Sequence, residues 1–463
     1  MKFKKVTLIA MGLSVLLSSL TGCSSNKASD QRVTAAENSK ASTDGKTIRF
    51  LNVSPSEARD SYYQETFQRF QEETGITVEY ESVPWDDAVS KLMVMGAADE
   101  LPDIITMDTI WLGQFVASDW LVPLDSYLAD VEDQFTDTVR TIWWDSQRES
   151  YGSAYTVPDG VMVKGIYVRK DWAEAAGLKL DPEAGWDYDE YFQTIAALTD
   201  VSQKHYGVAY RGARGGFHPI LFYLESFTGG QLYDEEGNIL INSEECLEAF
   251  EKWTSVYKDG YAPQDSINWG FSEMMDSFTG GLTGTFLNDS ECVANCQADM
   301  APDSWMVMPI PRSTKDGKIY NQLNAPYSYA MTTDSKNPDL AWELLLFLSD
   351  SENNADYCSR FGVMPIKKEA EANDFFTETG VYSTFVKQLN NPDLVYPCNF
   401  GPFGVSDLEQ GFLHEEIQKY LLNQQSAEDA LGNITGELEK RMKNYLAENP
   451  GKSVETPKLL SDK

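Results

Sequence analysis

Residues 47–80 read TIRFLNVSPSEARDSYYQETFQRFQEETGITVEY, and this stretch decides the fold class. Its first part, Thr47 to Val53, is typical of a buried strand. From Glu57 onward the apolar residues switch to helical spacing and share one face: Tyr63, Phe67 and Phe70. Gly75 ends the predicted helix, after which apolar and polar residues alternate as in a second strand. The chain therefore opens with β-α-β, which is the signature of a mostly parallel sheet.

The same alternation of strands and helices recurs further along the chain. A strand is predicted at Asp103–Met107, and another from Val161 to Val168 that leads directly into a helix. Residues 187–190, DYDE, have the Asp and Glu spacing of a capping box, and residues 337–338, NP, place a proline in the first turn of a later helix. A chain of 463 residues exceeds the usual size of one compact core, so two α/β lobes are expected.

The N-terminus has the shape of an export signal. Three lysines precede an apolar run from Val6 to Leu17, which is too short to span a bilayer as a helix of about 20 residues. The run is followed by Leu20-Thr-Gly-Cys23, which resembles the lipobox of bacterial lipoproteins. The resemblance implies that residues 1–22 are a lipoprotein signal peptide cleaved before Cys23. It also implies a diacylglyceryl group on the Cys23 sulfur, with palmitate among the lipid chains. A plain signal with an incidental cysteine is the alternative.

The composition is that of an acidic globular protein. The chain has 37 Lys and Arg against 72 Asp and Glu, which gives a net charge of −35. Phosphate backbones and anionic lipid surfaces repel such a chain, so nucleic-acid binding is not expected. We interpret the acidity as a solvated surface that keeps an exported protein soluble.

Five cysteines remain if Cys23 carries lipid, and an odd number cannot all pair. They are Cys246, Cys292, Cys296, Cys358 and Cys398. The pair at 292 and 296 has no histidine near it, and the chain has only three histidines, so a metal site is not indicated. Packed thiols or one disulfide are expected, and no cofactor is indicated.

An ordered set of segments resembles the extracellular solute-binding proteins of ABC importers, in the sugar-binding group that includes maltose-binding protein. The segments include FQEETGITVEY, LPDIITMD, YTVPDG, GWDYDEYF, TGTFLND and GVMPI, and they run from about Phe67 to Ile366. The resemblance implies the type II periplasmic-binding-protein-like fold. In that fold two α/β lobes, each a mostly parallel sheet flanked by helices, are joined by crossing hinge strands and close around a ligand.

The lobes that the resemblance implies are discontinuous along the chain. The N-terminal lobe is expected to take residues 47–162 and 305–336. The C-terminal lobe is expected to take residues 163–304 and 337–447, followed by a C-terminal tail at 448–463.

The resemblance further implies a binding lipoprotein that captures a sugar or oligosaccharide. Its expected partners are the carbohydrate, ABC permease subunits with a separate ATPase, and the membrane through the lipid on Cys23; the protein itself is expected to be a monomer. Residues 23–46 are polar and lack an apolar period, which is typical of a flexible tether. In a bacterium without an outer membrane, this anchor would hold the protein at the extracellular face of the cell membrane. A binding protein for a polyamine or an acidic sugar derivative is the alternative.

Candidate ligand-binding residues follow predicted strands, because ligands in open α/β sheets bind beyond the carboxyl ends of strands. Sugars stack their C–H faces on aromatic rings and hydrogen-bond through their hydroxyls, so both residue types are candidates. Those in the N-terminal lobe are Trp85, Asp86, Asp108, Trp111 and Asp159. The resemblance supports Asp108 and Trp111, since relatives place ligand contacts there. The alternatives are a helix cap for Asp86, a turn residue for Asp159 and a core residue for Trp111.

The further candidates are Tyr210, Arg211, Asn288, Asp289, Tyr327 and Phe403. The resemblance supports Asn288, and also Phe403, where relatives carry an aromatic platform; packing is the alternative for Tyr327 and Phe403. Guanidinium groups suit carboxylates and phosphates as well as hydroxyls, so Arg211 and Arg214 are compatible with an acidic sugar. An exposed loop beside Gly215 is the alternative for the arginines, and carboxylates near the cleft would suit a polyamine.

An enzyme is the competing class of function. A secreted glycoside hydrolase needs only two carboxylates, and 72 acidic residues supply many pairs without singling one out. The sequence contains neither a Gly-x-Ser-x-Gly elbow nor a His-Glu-x-x-His motif. No catalytic residue is assigned, and the chain is expected not to be an enzyme.

Overall fold

The structure, a computed structural model, describes residues 46–108, 111–213, 215–323, 327–378, 381–403, 405 and 407–459. The predicted signal peptide, Cys23, the tether up to residue 45 and Arg214 lie outside these residues. The side chains of Trp85 and Asp86 are likewise outside the description. Across the described ranges, none of the helices combines the length and the apolarity that crossing a membrane requires.

Strands and helices alternate along the described chain. The elements before residue 160 are β1 (Thr47–Asn52), α1 (Glu57–Thr74), β2 (Thr77–Ser82), α2 (Trp85–Ala97), β3 (Ile104–Met107), α3 (Leu112–Ala117), α4 (Asp125–Leu128), α5 (Ser146–Tyr151) and β4 (Thr156–Pro158). Those between residues 160 and 310 are β5 (Lys164–Arg169), α6 (Lys170–Ala175), α7 (Tyr188–Ala197), α8 (Phe217–Glu225), α9 (Glu244–Lys258), α10 (Phe271–Thr279), β6 (Thr285–Asp289), α11 (Cys292–Asp299) and β7 (Trp305–Met308). The remaining ones are β8 (Ile319–Tyr320), β9 (Ser328–Met331), α12 (Pro338–Leu348), α13 (Ser351–Phe361), α14 (Lys368–Glu371), α15 (Asp374–Glu378), α16 (Val381–Leu389), β10 (Leu394–Tyr396), α17 (Leu413–Leu421), α18 (Ala427–Glu448) and β11 (Lys458–Leu459).

The first sheet forms the centre of the N-terminal lobe and has the strand order β2-β1-β3-β9-β4. β1 pairs in parallel with β2 and β3, which confirms the β-α-β unit, whereas β9 is antiparallel to β3 and β4. Phe50 of β1 packs on α1, with ring centroids 5.1 Å from Tyr63 and 5.0 Å from Phe67. Leu51 points to the opposite face and packs in a separate buried cluster that includes Trp111. Both faces of this sheet are therefore buried.

The second sheet differs from the mostly parallel arrangement that was expected for the C-terminal lobe. Its order is β6-β5-β7, and β5 is antiparallel to both neighbours. The chain enters this lobe on β5 after crossing from β4, and β6 and β7 run back against it. Hydrophobic periodicity reports which residues are buried but carries no information on strand direction. The sequence also suggests a short strand at Gly207-Val-Ala, just before Tyr210, and the structure has a parallel bridge between Tyr206 and Thr283 at this point.

Two segments contact a lobe other than the expected one. β7 pairs with β5 in the second sheet, although the resemblance implies that residues 305–336 belong to the N-terminal lobe. α13 packs on α1, with the ring centroids of Tyr357 and Tyr62 5.1 Å apart, although the resemblance implies that residues 337–447 belong to the C-terminal lobe. The sequence of a segment shows its apolar face but not which element covers that face. The contacts of these two segments therefore differ from the expected division of the chain into lobes.

Residues 455–459, within the expected C-terminal tail, pack against the C-terminal lobe. β11 pairs antiparallel with β10, which itself pairs in parallel with β8. The side-chain amide of Gln231 donates to the Glu455 carbonyl at 3.0 Å. Residues 455–459 are thus part of the folded lobe.

The five cysteines in the described ranges are free thiols, and all are buried. The packed-thiol alternative therefore describes them. Burial raises the pKa of the Cys292 and Cys358 thiols well above the usual value. Both therefore stay protonated and unreactive at neutral pH.

Candidate ligand-binding site

A cavity of about 290 Å³ lies in the C-terminal lobe, where β5 begins and β6 ends. Its described lining residues all fall between Lys164 and Asp289 in the sequence. The aromatic members are Tyr191, Phe192, Tyr210, Phe222 and Trp253, and the charged or hydrogen-bonding side chains are Lys164, Arg211, His218, Asn288 and Asp289. The wall therefore combines aromatic rings with a small number of polar groups, as ligand-binding cavities usually do.

A buried ion pair lies in the cavity wall. Lys164 and Asp289 are register partners on β5 and β6, and Lys164 Nζ lies 2.7 Å from Asp289 Oδ1. Their side chains are only 8% and 14% exposed, so water screens the pair weakly. The Tyr167 hydroxyl donates to the Asp289 carbonyl at 2.7 Å, which holds the strand end in place. The charge of the Asp289 carboxylate is thus compensated before any ligand arrives.

Asn288 presents an amide to the cavity from the neighbouring position on β6. The residue is 6% exposed, and its Oδ1 accepts the Asp289 N–H at 2.7 Å. Its Nδ2 contacts the Met274 sulfur at 3.8 Å, and a thioether is a weak acceptor. An oxygen atom of a ligand would therefore offer the Asn288 amide hydrogens a stronger acceptor than the Met274 sulfur.

Tyr210 contributes an aromatic ring to the cavity wall. It is 5% exposed and packs on Tyr257, with ring centroids 5.6 Å apart. Burial raises the pKa of Tyr210, so its hydroxyl stays neutral at physiological pH.

Arg211 is held against the glycine turn that precedes α8. A Cβ built on Gly215 would lie 2.7 Å from Arg211 Cζ, and Gly215 has φ +85°, so both the close approach and the backbone conformation need glycine. Gly216 follows as the N-cap of α8, and among the described residues no side chain caps this helix. The positive end of the helix dipole therefore faces the same side of the cavity as Arg211.

In the N-terminal lobe, Asp108 and Asp159 both lie within electrostatic reach of Tyr327. Burial raises the pKa of the half-buried Tyr327, and the charges of Asp108 and Asp159 raise it further. The Arg59 guanidinium lies over the Tyr327 ring, 5.3 Å from its centroid. Trp111 is 7% exposed and belongs to the buried cluster on the outer face of the first sheet, so packing accounts for most of its surface.

Asp159 lies inside the segment that crosses from β4 to β5, and its side chain is 1% exposed. Its Oδ2 accepts the Tyr357 hydroxyl at 2.5 Å, and among the described residues Oδ1 has no hydrogen-bond partner. Burial raises the pKa of Asp159 to about 7, against the opposing effect of the Arg59 charge. In this conformation Asp159 is a buried hinge group without access to a ligand.

Phe403 is not among the described residues that line this cavity. Phe403 is half-buried over Gly401, where an added Cβ would come within 2.6 Å of its ring. Its loop runs beside α3, since a Cβ built on Gly113 would lie 3.8 Å from the Pro402 carbonyl oxygen. Trp85 is the first residue of α2.

The strand-end rule locates four of the cavity residues: Tyr210, Arg211, Asn288 and Asp289. It does not find Lys164, although the sequence carries a signal for it, since Lys164 is the single charge within VMVKGIYV. The cavity aromatics on α7, α8 and α9 carry no such signal, because core and site aromatics have the same helical spacing. Within the described residues, no group of three or more His, Cys, Asp and Glu side chains is placed to hold a metal ion.

Comparison with known proteins decides the family. The model of the bacterial extracellular solute-binding proteins matches residues 54–355, which is more than half of the chain. The chain belongs to the bacterial extracellular solute-binding protein family. This assignment confirms the resemblance that the ordered segments indicate.

Relatives of this solute-binding protein align along most of its length. A binding protein of Brucella abortus is 26% identical over 352 residues, which cover 75% of this chain and 83% of that protein. The erythritol/L-threitol-binding protein of Mycolicibacterium smegmatis is 26% identical over 334 residues, covering 67% of this chain and 68% of that protein. Among solved structures, maltose-bound MalE3 of T. maritima superposes with a TM-score of 0.69 at 21% identity, covering 85% of this chain and 99% of that one. The superposition confirms the two-lobed fold.

Proposed function

We propose that this solute-binding protein captures a sugar or small oligosaccharide between its lobes and delivers it to ABC permease subunits driven by a separate ATPase. The observation that carries the proposal is the cavity at the junction of β5 and β6. Its rings, such as Tyr210 and Trp253, offer faces for sugar C–H groups, and the Asn288 amide offers hydrogen-bond donors. The polyol and maltose that two similar proteins bind belong to the same broad chemical class.

The size of the cavity favours a short ligand. Its volume of about 290 Å³ is just below the range of about 300–1,000 Å³ that is usual for ligand pockets. A ligand of one or two sugar rings suits this volume better than a long chain. Its second face would be covered by the N-terminal lobe, where Asp108 and Tyr327 remain candidate contacts.

Hinge closure would bring the two faces together. The crossing segment between β4 and β5 contains Asp159 and Gly160, and a Cβ built on Gly160 would lie 2.3 Å from Val363. Closure around a ligand is the usual mode of action of two-lobed binding proteins, and it requires no covalent chemistry. The ligand would therefore leave the protein chemically unchanged.

A carbohydrate panel tests binding. A ligand at a hundred times its dissociation constant should stabilise the protein by about 2.7 kcal/mol, which a thermal-shift assay detects. Asn288→Ala should weaken the binding of the best ligand about three- to tenfold, the value of one neutral hydrogen bond. Asn242→Ala is the matched control because Asn242 is exposed and precedes α9. Flat responses to every sugar, together with a shift for another solute class, would reject the proposal.

We also propose that Cys23 is the lipidated N-terminus of the mature protein and that residues 23–46 tether it to the outer face of the cell membrane. The support is the Leu20-Thr-Gly-Cys23 sequence after a short apolar run. Mass spectrometry of the N-terminal peptide from membranes should show a diacylglyceryl adduct on Cys23. Cys23→Ser should abolish the adduct, and an unmodified Cys23 in membrane-derived protein would contradict the proposal.

A further inference from the structure

The ion pair in the cavity wall has hydrogen-bonding capacity that the protein itself does not use. An ammonium group has three N–H donors, and Lys164 Nζ directs one of them to Asp289 Oδ1 at 2.7 Å. Within the described ranges, Lys164 Nζ has no second hydrogen-bond acceptor and Asp289 Oδ2 has no donor. Both residues line the cavity, and 8% and 14% of their side chains stay exposed. Two N–H donors and one carboxylate oxygen are therefore left for a ligand.

The backbone at each member of the pair is held in place by other parts of the chain. The Lys164 carbonyl oxygen accepts the side-chain amide of Asn321 at 3.0 Å and that of Gln388, on α16, at 2.9 Å. The Asp289 carbonyl oxygen accepts the Tyr167 hydroxyl at 2.7 Å, and the pair keeps its register across β5 and β6. Both charged groups are therefore positioned before a ligand binds, which lowers the entropic cost of recognition.

A neutral diol suits this pair better than a charged ligand does. A buried ion pair is favourable only when its remaining donors and acceptors are satisfied while the pairing itself persists. One hydroxyl can accept from the ammonium and another can donate to the carboxylate, so the ion pair stays intact. A ligand amine or carboxylate would instead compete for one member and leave the other less well paired. Since the two charged groups are in contact, the hydroxyls that reach both must be on adjacent carbon atoms.

We propose that Lys164 and Asp289 together bind two adjacent hydroxyls of a neutral saccharide, and that this pair determines which sugars the cavity accepts. The proposal rests on the proposed sugar-binding function and specifies its substrate class. Lys164 donates to one hydroxyl oxygen, and the neighbouring hydroxyl donates to Asp289 Oδ2. Hydrogen bonds to charged groups are about twice as strong as neutral ones, so the pair selects more strongly than the adjacent Asn288 amide.

Sugars that lack one hydroxyl test this inference. Calorimetric titrations would use D-glucose, D-galactose, D-mannose and maltose, each with its monodeoxy derivatives. We expect the sugar that binds most tightly to lose about tenfold or more in affinity at each of two neighbouring carbons, the value of a hydrogen bond to a charged group. In the double variant Lys164→Met/Asp289→Leu, which removes both bonds, the intact sugar should bind about a hundredfold more weakly. The two sensitive derivatives should then bind that variant within about threefold of the intact sugar, because the groups that contact those hydroxyls are gone.

Lys170→Met/Glu174→Leu is the matched control, since it removes an exposed ion pair on α6 and likewise leaves the net charge unchanged. Thermal unfolding of both double variants checks that they fold, and the wild-type titrations alone decide between adjacent and separated hydroxyls. Wild-type affinity in Lys164→Met/Asp289→Leu, an unchanged pattern of losses among the deoxy sugars in that variant, or losses confined to separated hydroxyls would overturn the inference while leaving sugar binding intact. Absence of binding by every saccharide, here and in the carbohydrate panel, would instead overturn the proposed function, and this inference with it.

Discussion

Replacement of Asp159 by asparagine should remove a loss of folding stability that the hinge carboxylate causes as pH rises. The Asp159 carboxylate is fully buried, one of its oxygens lacks a hydrogen-bond partner among the described residues, and the other accepts the Tyr357 hydroxyl at 2.5 Å. Burial raises the pKa of Asp159 from 3.8 to about 7 in the folded protein. An aspartic acid with a raised pKa binds its proton more tightly when folded. Its stabilising contribution is therefore complete below about pH 4 and is lost as pH rises to about 7.

The magnitude follows from the pKa values. A pKa difference from 3.8 to about 7 corresponds to about 4 kcal/mol at 1.36 kcal/mol per unit. Asparagine has nearly the same shape and carries no charge. The free energy of unfolding of Asp159→Asn relative to wild type should thus rise by up to about 4 kcal/mol between pH 4 and pH 8. The folded-state pKa of about 7 already includes the attraction between Arg59 and the ionised carboxylate.

Urea unfolding at half-unit steps from pH 4 to pH 8 measures this difference. Asp276→Asn on α10 is the matched control, since Asp276 is exposed and its variant should follow the wild-type pH profile. Parallel profiles for wild type and Asp159→Asn would refute the reasoning, because they would mean that Asp159 titrates alike in the folded and unfolded states.

Further perturbations test the packing around the cavity, each by urea unfolding. Lys164→Met should lower the free energy of unfolding by about 3–5 kcal/mol because it leaves the buried Asp289 charge unpaired. The double variant Lys164→Met/Asp289→Leu should recover most of that loss. Equal stabilities of the single and double variants would contradict this prediction. Gly207→Ala should destabilise by more than about 3 kcal/mol, since the new Cβ would lie 1.9 Å from the Ile195 carbonyl oxygen. A Cβ added at Gly436 in α18 would meet no atom within 4 Å, so Gly436→Ala should raise the free energy of unfolding by about 0.5–1 kcal/mol. A similar loss of stability at both glycines would show that contact with Ile195 is not the cause.

Short sequence motifs predicted where several of the helices begin and end. Gly75 ends α1 with φ +74°, the capping box of Asp187 and Glu190 begins α7, and Pro338 occupies the first turn of α12. Each feature is encoded within a few neighbouring residues. The antiparallel direction of β6 and β7 and the docking of α13 on α1 depend instead on contacts between distant segments, which no local pattern specifies.

The same distinction between local signals and contacts of distant segments applies to the residues of the candidate site. Asn288 and Asp289 were predictable because they end a strand, and their place in the cavity wall follows from the pairing of β6 with β5. Asp159 also follows a strand, yet the packing of Tyr357 and Arg59 buries it within the hinge. Whether a residue at a strand end faces a ligand or the core is decided by the elements that pack beside it.

A crystal structure of the protein with the saccharide that stabilises it most tests the central claim most directly. We predict that the sugar occupies the cavity at the β5–β6 junction, with Arg211 and Asn288 in hydrogen-bonding contact and the N-terminal lobe closed over its other face. A sugar bound elsewhere while this cavity stays empty, or a sugar found cleaved, would contradict it.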